Sequence, residues 1–126
     1  MARFFVVAYL ESFVSRESGD MGGGQGEWYF KCNGKRYPDR GVIRLKAGQH
    51  FDPEPRPVFY TELADRNKEI KFDFEVWEED KGRDDKFLDK EFKLKVDTMN
   101  QTFELTDKKQ RVDLKVKVRM EESKDF

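Results

Sequence analysis

Three stretches of the chain alternate apolar and charged residues with a period of two. This period matches a β-strand, in which successive side chains point to opposite faces, and not a helix. One apolar and one charged face per strand is typical of antiparallel sheets that have one face in the core and one in water. The apolar positions are Ile70, Phe72, Phe74 and Val76; Phe92, Leu94 and Val96; and Val112, Leu114, Val116, Val118 and Met120.

Five further segments have strand character and are separated by turn signals, among them Asn33-Gly34 and Ala47-Gly48. No long stretch keeps a 3.6-residue apolar period, so we expect almost no helix. About eight strands at this spacing indicate a sandwich or a barrel, and we predict an all-β, eight-stranded antiparallel β-sandwich. The further candidates are residues 4–14, 27–32, 42–45, 58–63 and 102–105.

The length of 126 residues predicts one domain, which we assign to residues 1–120, followed by a short charged tail at 121–126. Hydrophobic residues make up only 37%, but twelve Phe contribute to an aromatic content of 14%, so the core must consist of a few large side chains. The 25 basic and 26 acidic residues nearly cancel. This balance argues against a general nucleic-acid binder, and any electrostatic function must be local.

Residues with catalytic or targeting potential are few. Cys32 is the single cysteine and His50 the single histidine, and no metal-ligand spacing or nucleophile–base pair stands out, so we expect no enzyme. The apolar residues 4–10 fit a core strand better than a signal peptide, and no segment is long enough to span a bilayer. The glycine-rich residues 18–26 lack the Lys-Ser/Thr of a phosphate loop. We expect a soluble, cytoplasmic protein.

The segment 78–89 concentrates six carboxylates against three cations. Like charges this close repel each other, so a compensating ion is one explanation, and Ca²⁺ takes six to eight oxygen ligands that such a loop can supply. The order of residues excludes an EF-hand. The alternative is a solvated, turn-rich hairpin end.

Two segments resemble C2 domains. FEVWEEDKGRDDKFL, from Phe74 to Leu88, is similar to the stretch in which a strand ends in Val-Trp/Tyr-Asp and a second Asp, a short basic loop and another Asp follow. Upstream, Asp20, the glycine-rich loop and GEWYFKC are similar to the first loop of the family. The chain departs from the family pattern at Glu27 and Glu78, where Asp is usual, and at Lys86, which competes with Asp84 and Asp85 for the last acidic position.

The resemblance implies a β-sandwich that binds Ca²⁺ between loops at one end and docks reversibly on anionic phospholipid headgroups, peripheral to the membrane. The calcium ligands it implies are Asp20, Glu27, Glu78, Asp80, Asp84 and Asp85. Lys81 and Arg83 would contact headgroups, and Met21 would insert shallowly. The alternative is a module that binds protein or carbohydrate, with calcium as a loop staple or with no metal.

Two other groups of side chains have competing interpretations. Lys93, Lys95, Lys115, Lys117 and Arg119 are expected to share one outward face, either as a solvated surface with Asp73, Glu75 and Asp113 opposite or as a lipid site. Trp28, Tyr29 and Trp77 flank the two special loops and either brace the loop ends or form a stacking platform.

Overall fold

The computed structural model describes residues 3–16, 25–97 and 100–123, which form ten β-strands and no helix. The predicted antiparallel sandwich is confirmed, and the two strands beyond eight are β3 and β5, which are too short to show alternation. The strands are β1 (Arg3–Ser15), β2 (Gly26–Cys32), β3 (Lys35–Tyr37), β4 (Ile43–Leu45), β5 (His50–Phe51), β6 (Val58–Asp65), β7 (Glu69–Glu78), β8 (Asp85–Lys95), β9 (Asn100–Thr106) and β10 (Val112–Glu122).

The strands form two five-stranded antiparallel sheets. In the first sheet, β1 lies between β10 and the pair β5 and β6, and β9 is the outer neighbour of β10. In the second sheet, β2 lies between β7 and the pair β3 and β4, and β8 is the outer neighbour of β7. None of the described residues belongs to a helix that could span a membrane.

The core lies between the sheets and is rich in large aromatic side chains, as the composition predicted. Trp28, Phe4, Phe13, Phe30, Phe72 and Phe74 are among its largest fully buried residues. The two sheets are joined by ring contacts such as Phe13–Phe30, with centroids 5.1 Å apart, and Tyr60–Phe72, with centroids 4.8 Å apart.

The Asn33-Gly34 turn signal is confirmed as the hairpin that joins β2 to β3. Both residues have positive φ, 49° and 83°, and Cys32 pairs with Lys35 across the turn. Positive φ at both central residues is the type I′ geometry, whose twist matches that of the flanking strands.

The prediction of a single basic face is wrong. Lys93 and Lys95 belong to β8 in the second sheet, whereas Lys115, Lys117 and Arg119 belong to β10 in the first sheet. Asp73 and Glu75 do not face these cations either, because their register partners are Glu91 and Asp89.

β10 continues past residue 120. Glu121 and Glu122 pair with Phe5 and Phe4, and the Ser123 amide donates to the Arg3 carbonyl at 2.8 Å. The first two residues of the segment assigned to the tail are therefore part of the first sheet.

Candidate functional site: the loop end

One end of the sandwich collects three described connections, residues 46–49, 79–84 and 107–111. The register places them together: β1 ends beside the start of β10 through Ser15↔Val112, and Gly48 donates to the Ser15 carbonyl at 2.7 Å. In the second sheet, Trp28 near the start of β2 pairs with Glu78 at the end of β7. We call this set of connections the loop end.

The loop 79–84 is fastened to the second sheet by Tyr29. The Tyr29 hydroxyl donates to Asp84 Oδ2 at 2.6 Å, and the Tyr29 ring stacks on Trp77 at 6.0 Å. The Arg36 guanidinium lies 4.0 Å from the centre of the Tyr29 ring and 3.9 Å from Glu79. The sequence showed no sign of the Tyr29–Asp84 bond, since the two residues are 55 positions apart.

This bond shifts the pKa values of both groups that it joins. Burial, and then the bond to Asp84, raises the pKa of the Tyr29 hydroxyl far above neutral pH. The hydrogen bond from Tyr29, followed by that from the Asp80 amide, lowers the pKa of Asp84. Tyr29 is therefore a permanent donor and Asp84 a permanent acceptor at neutral pH.

The remaining carboxylate bonds of the loop are local. The Asp80 amide donates to Asp84 Oδ1 at 3.2 Å, and the Lys81 amide donates to Asp80 Oδ1 at 2.7 Å. At the base of the loop, the Glu79 amide donates to the Glu27 carbonyl at 2.7 Å. The chain's own donors thus hold this acidic loop in shape.

Glu27 and Glu78 lie on opposite faces of the second sheet. Glu78 follows the buried positions Phe74 and Val76 in alternation and is only 3% exposed. Glu27 lies on the outer face, 3.5 Å from the Arg44 guanidinium. The structure therefore does not bring these two predicted ligands together on one face of the sheet.

Within the described residues the predicted calcium ligands are not gathered around one point, and the calcium site as a whole stays a prediction. No three His, Cys, Asp or Glu side chains within residues 3–16, 25–97 and 100–123 converge as metal ligands. Asp85 is a residue of β8 and not of the loop. Asp20 and Met21 lie outside the described residues, so their roles stay predictions.

Lys86 is turned to the outer face of the second sheet. Its Nζ lies 3.3 Å from Glu75 and 3.1 Å from Asp89, and 5.6 Å from the centre of the Trp77 ring. Trp77 is half-buried beneath Lys86 and Lys31, whereas Trp28 is fully buried in the core. Both tryptophans brace the second sheet near the loop end.

Five exposed cations surround the loop end. They make no ion pair with any described residue, and they come from all three connections: Lys46, Lys81, Arg83, Lys108 and Lys109. Sequence reasoning identified Lys81 and Arg83 only. Lys46 directly precedes the Ala47-Gly48 turn signal, but only the register shows that this turn and the turn with Lys108 lie at the same end as loop 79–84.

The turn 107–111 is built on a buried carboxylate. Asp107 accepts hydrogen bonds from the Val112 amide at 3.0 Å and from the Arg111 guanidinium at 2.8 Å. Burial raises the pKa of Asp107, but the bonds from Arg111 and from the backbone amides outweigh burial and leave the pKa below its usual value. The ion pair between the buried Asp107 and the partly exposed Arg111 fixes the turn that presents Lys108 and Lys109.

Cys32 lies away from the loop end and is buried. Burial raises the pKa of its thiol to about 11, so the thiolate that a nucleophile or a metal ligand requires is scarce at neutral pH.

No model of a known protein family matches the sequence, and no curated protein matches it. Solved structures are similar to it. The C2A domain of plant extended synaptotagmin 1 superposes with a TM-score of 0.57 at 14% identity, over 96% of each chain.

Human GIVD cytosolic phospholipase A2, bound to methyl gamma-linolenyl fluorophosphonate, superposes over 99% of this chain with a TM-score of 0.61 at 12% identity. A second structure of that enzyme, which also contains terbium chloride, gives 0.59 at 14% identity. The chain spans 18% of the length of the phospholipase.

Proposed function

Because the chain has the fold of C2 domains, we propose that it is a binding module, not an enzyme, that docks reversibly on anionic phospholipid through the loop end. The fold itself is shared with the C2A domain of plant extended synaptotagmin 1. A fold does not decide a function, so the proposal rests on the side chains at the loop end.

The observation that carries the proposal is the group of five exposed cations that form no ion pair with any described residue: Lys46, Lys81, Arg83, Lys108 and Lys109. Three separate connections present them at one end of the sandwich, so they can meet a surface together. A basic residue near an anionic membrane contributes about 1 kcal/mol, and the attraction falls off within a Debye length. Several such contacts give weak, reversible binding that salt weakens.

The described part of the loop end offers charge and not apolar anchors. The exposed large hydrophobic residues of the described chain are Phe5, Val58 and Leu63, and all three lie on β1 or β6, outside the three connections. Insertion into the hydrocarbon by described residues is therefore not part of the mechanism, and the headgroup phosphates are the expected contacts.

No step of this docking needs calcium. Asp84 is held by Tyr29 and by the Asp80 amide, and Glu78 is buried on the inner face of the second sheet. Calcium-dependent docking is the second candidate, because Asp80, Asp84 and Asp85 lie within six consecutive residues at the loop end.

Vesicle co-sedimentation tests the proposal. We expect the chain to pellet with anionic vesicles and not with neutral ones, and the pelleted fraction to fall as salt shortens the Debye length below about 10 Å. The fraction should be the same in chelator and in calcium. Equal binding to neutral and anionic vesicles, or no binding to either, contradicts the proposal, and binding in calcium alone supports the second candidate.

A further inference from the structure

The outer face of the first sheet carries an apolar strip. The large hydrophobic residues that are exposed in the described chain are Phe5 at 46%, Val58 at 47% and Leu63 at 42%, and all of them are on this face. Phe5 pairs with Leu63 and Tyr9 pairs with Val58 in the register of β1 and β6. We define the apolar strip as Phe5, Val7, Tyr9, Val58 and Leu63.

Four residues of the strip, Phe5, Val7, Tyr9 and Val58, line a groove of about 430 Å³. The other residues that line this groove are charged: Glu54, Arg56, Arg119 and Glu121. An exposed sheet face with contiguous apolar residues and a charged rim is typical of a protein interface.

The two flanks of the strip carry opposite charge. On the β10 side, Lys115, Lys117 and Arg119 point outward. Lys115 is paired with Glu104 at 3.8 Å and Arg119 with Glu121 at 2.6 Å, whereas Lys117 has no ion pair within the described residues. On the other side, the connection between β5 and β6 carries Asp52 and Glu54, both exposed and also without an ion pair to any described residue. Arg56 belongs to this side, but it is engaged by Glu11 at 3.9 Å.

Opposite charges occur at the same levels along β1. Lys115 pairs with Ser12 in the register, and Asp52 follows Phe51, which pairs with Phe13. Farther along, Lys117 pairs with Tyr9, and Glu54 lines the groove together with Tyr9. Each of these two cations on one flank thus has an acidic residue at about the same position along β1 on the other flank.

We propose that the outer face of the first sheet binds a second copy of this chain, face to face, about a two-fold axis parallel to β1. Rotation about such an axis exchanges the two flanks and leaves every residue at the same position along β1. The cationic flank of each copy then covers the acidic flank of the other, and the apolar strips meet between them. The interface is self-complementary, as an isologous dimer requires, and the strands are aligned as in face-to-face sheet packing.

Charge favours a second copy over a membrane as the occupant. Asp52 and Glu54 would be repelled by an anionic surface, whereas Lys115 and Lys117 of a second copy neutralise them. The loop end lies outside this face, so dimer formation and membrane docking are independent proposals.

Sedimentation equilibrium tests the dimer. We expect the wild-type chain to approach twice its mass of 15.0 kDa as its concentration rises. Lys117→Glu and Glu54→Lys should each weaken self-association by about tenfold or more, because each change places like charges opposite one another twice per dimer. Lys95→Glu, a change of the same type on the second sheet, should leave self-association unchanged.

Mixing the two variants distinguishes this face from any other. Lys117→Glu and Glu54→Lys chains, each weakly associating alone, should form a heterodimer with near wild-type affinity, since every facing pair regains opposite charge. Circular dichroism confirms that both variants are folded.

A wild-type chain that stays monomeric at millimolar concentration overturns the proposal, and so does a dimer that the charge reversals leave intact. A monomer whose binding to anionic vesicles falls on Phe5→Ser also overturns it, because that result assigns the face to lipid.

Discussion

At the scale of single residues, the loop end is shaped by hydrogen bonds to two carboxylates, Asp84 and Asp107. The alternation of β7 already placed Glu78 on the same face as Phe74 and Val76, so its burial could be predicted from the sequence. The bond of Asp84 to Tyr29 depends on how distant strands pack, and that of Asp107 to Arg111 depends on the shape of a turn. The alternation of apolar and charged residues predicts neither of them.

Removing the Tyr29 hydroxyl tests the first of these bonds. Tyr29→Phe keeps the ring contacts with Trp77 and Arg36 but leaves Asp84 without its 2.6 Å donor. We expect a loss of about 1 kcal/mol in the free energy of unfolding, measured by urea denaturation, the typical net value of such a bond. Tyr37→Phe is the control, because the Tyr37 hydroxyl has no hydrogen bond to the described chain. Equal losses in both variants would argue against the bond.

Asp107→Asn tests the buried carboxylate of the turn 107–111. The Asp107 side chain is fully buried against Arg111, so its neutralisation should cost about 3 kcal/mol of unfolding free energy. Asp113→Asn removes an exposed partner of Arg16 and should cost less than about 1 kcal/mol. Urea titration of both variants measures the difference, and a cost for Asp107→Asn as small as that of the control would refute the structural role.

The same carboxylate predicts how stability depends on pH. The pKa of Asp107 is lower in the folded than in the unfolded chain, so its stabilising contribution is complete above the unfolded pKa and is lost as pH falls through the folded pKa. Wild-type stability should therefore drop on acidification below about pH 4, and Asp107→Asn should show a smaller drop. Thermal melts across this range give the comparison.

At the scale of elements, strands with clear period two were predictable and sheet membership was not. The three alternating segments became β7, the second half of β8 and β10. The prediction that Lys93 and Lys117 share one face is wrong because alternation shows which side of a strand faces solvent, but not which sheet the strand joins. The short strands β3 and β5 have too few residues for a period to appear.

The turn that joins β2 and β3 gives a test at this scale. Gly34 has a φ of +83°, a conformation that an L-residue adopts only with strain, whereas Gly82 has no such φ and has open space around its Cα. Gly34→Ala should lower the unfolding free energy by about 1 kcal/mol, and Gly82→Ala should leave it unchanged or slightly raised. Denaturant midpoints of the two variants measure this contrast, and equal effects would contradict the turn geometry.

At the scale of the whole molecule, the sandwich gathers at one end cations that are distant in sequence. Lys46, Lys81 and Lys108 come from three connections, and only the register of both sheets shows that these connections share an end. The sequence could predict the all-β fold and the basic tip of loop 79–84, but the five-cation surface required the topology.

The central claim is that the loop end, and not overall charge, holds the chain on anionic membranes. The most direct measurement is vesicle co-sedimentation of two double variants with the same change in net charge, Lys81→Ala with Arg83→Ala, and Lys35→Ala with Lys95→Ala, whose cations lie at the opposite end. We predict that the first pair weakens binding by about 2 kcal/mol and that the second pair leaves it nearly unchanged. Equal weakening by both pairs would contradict the account.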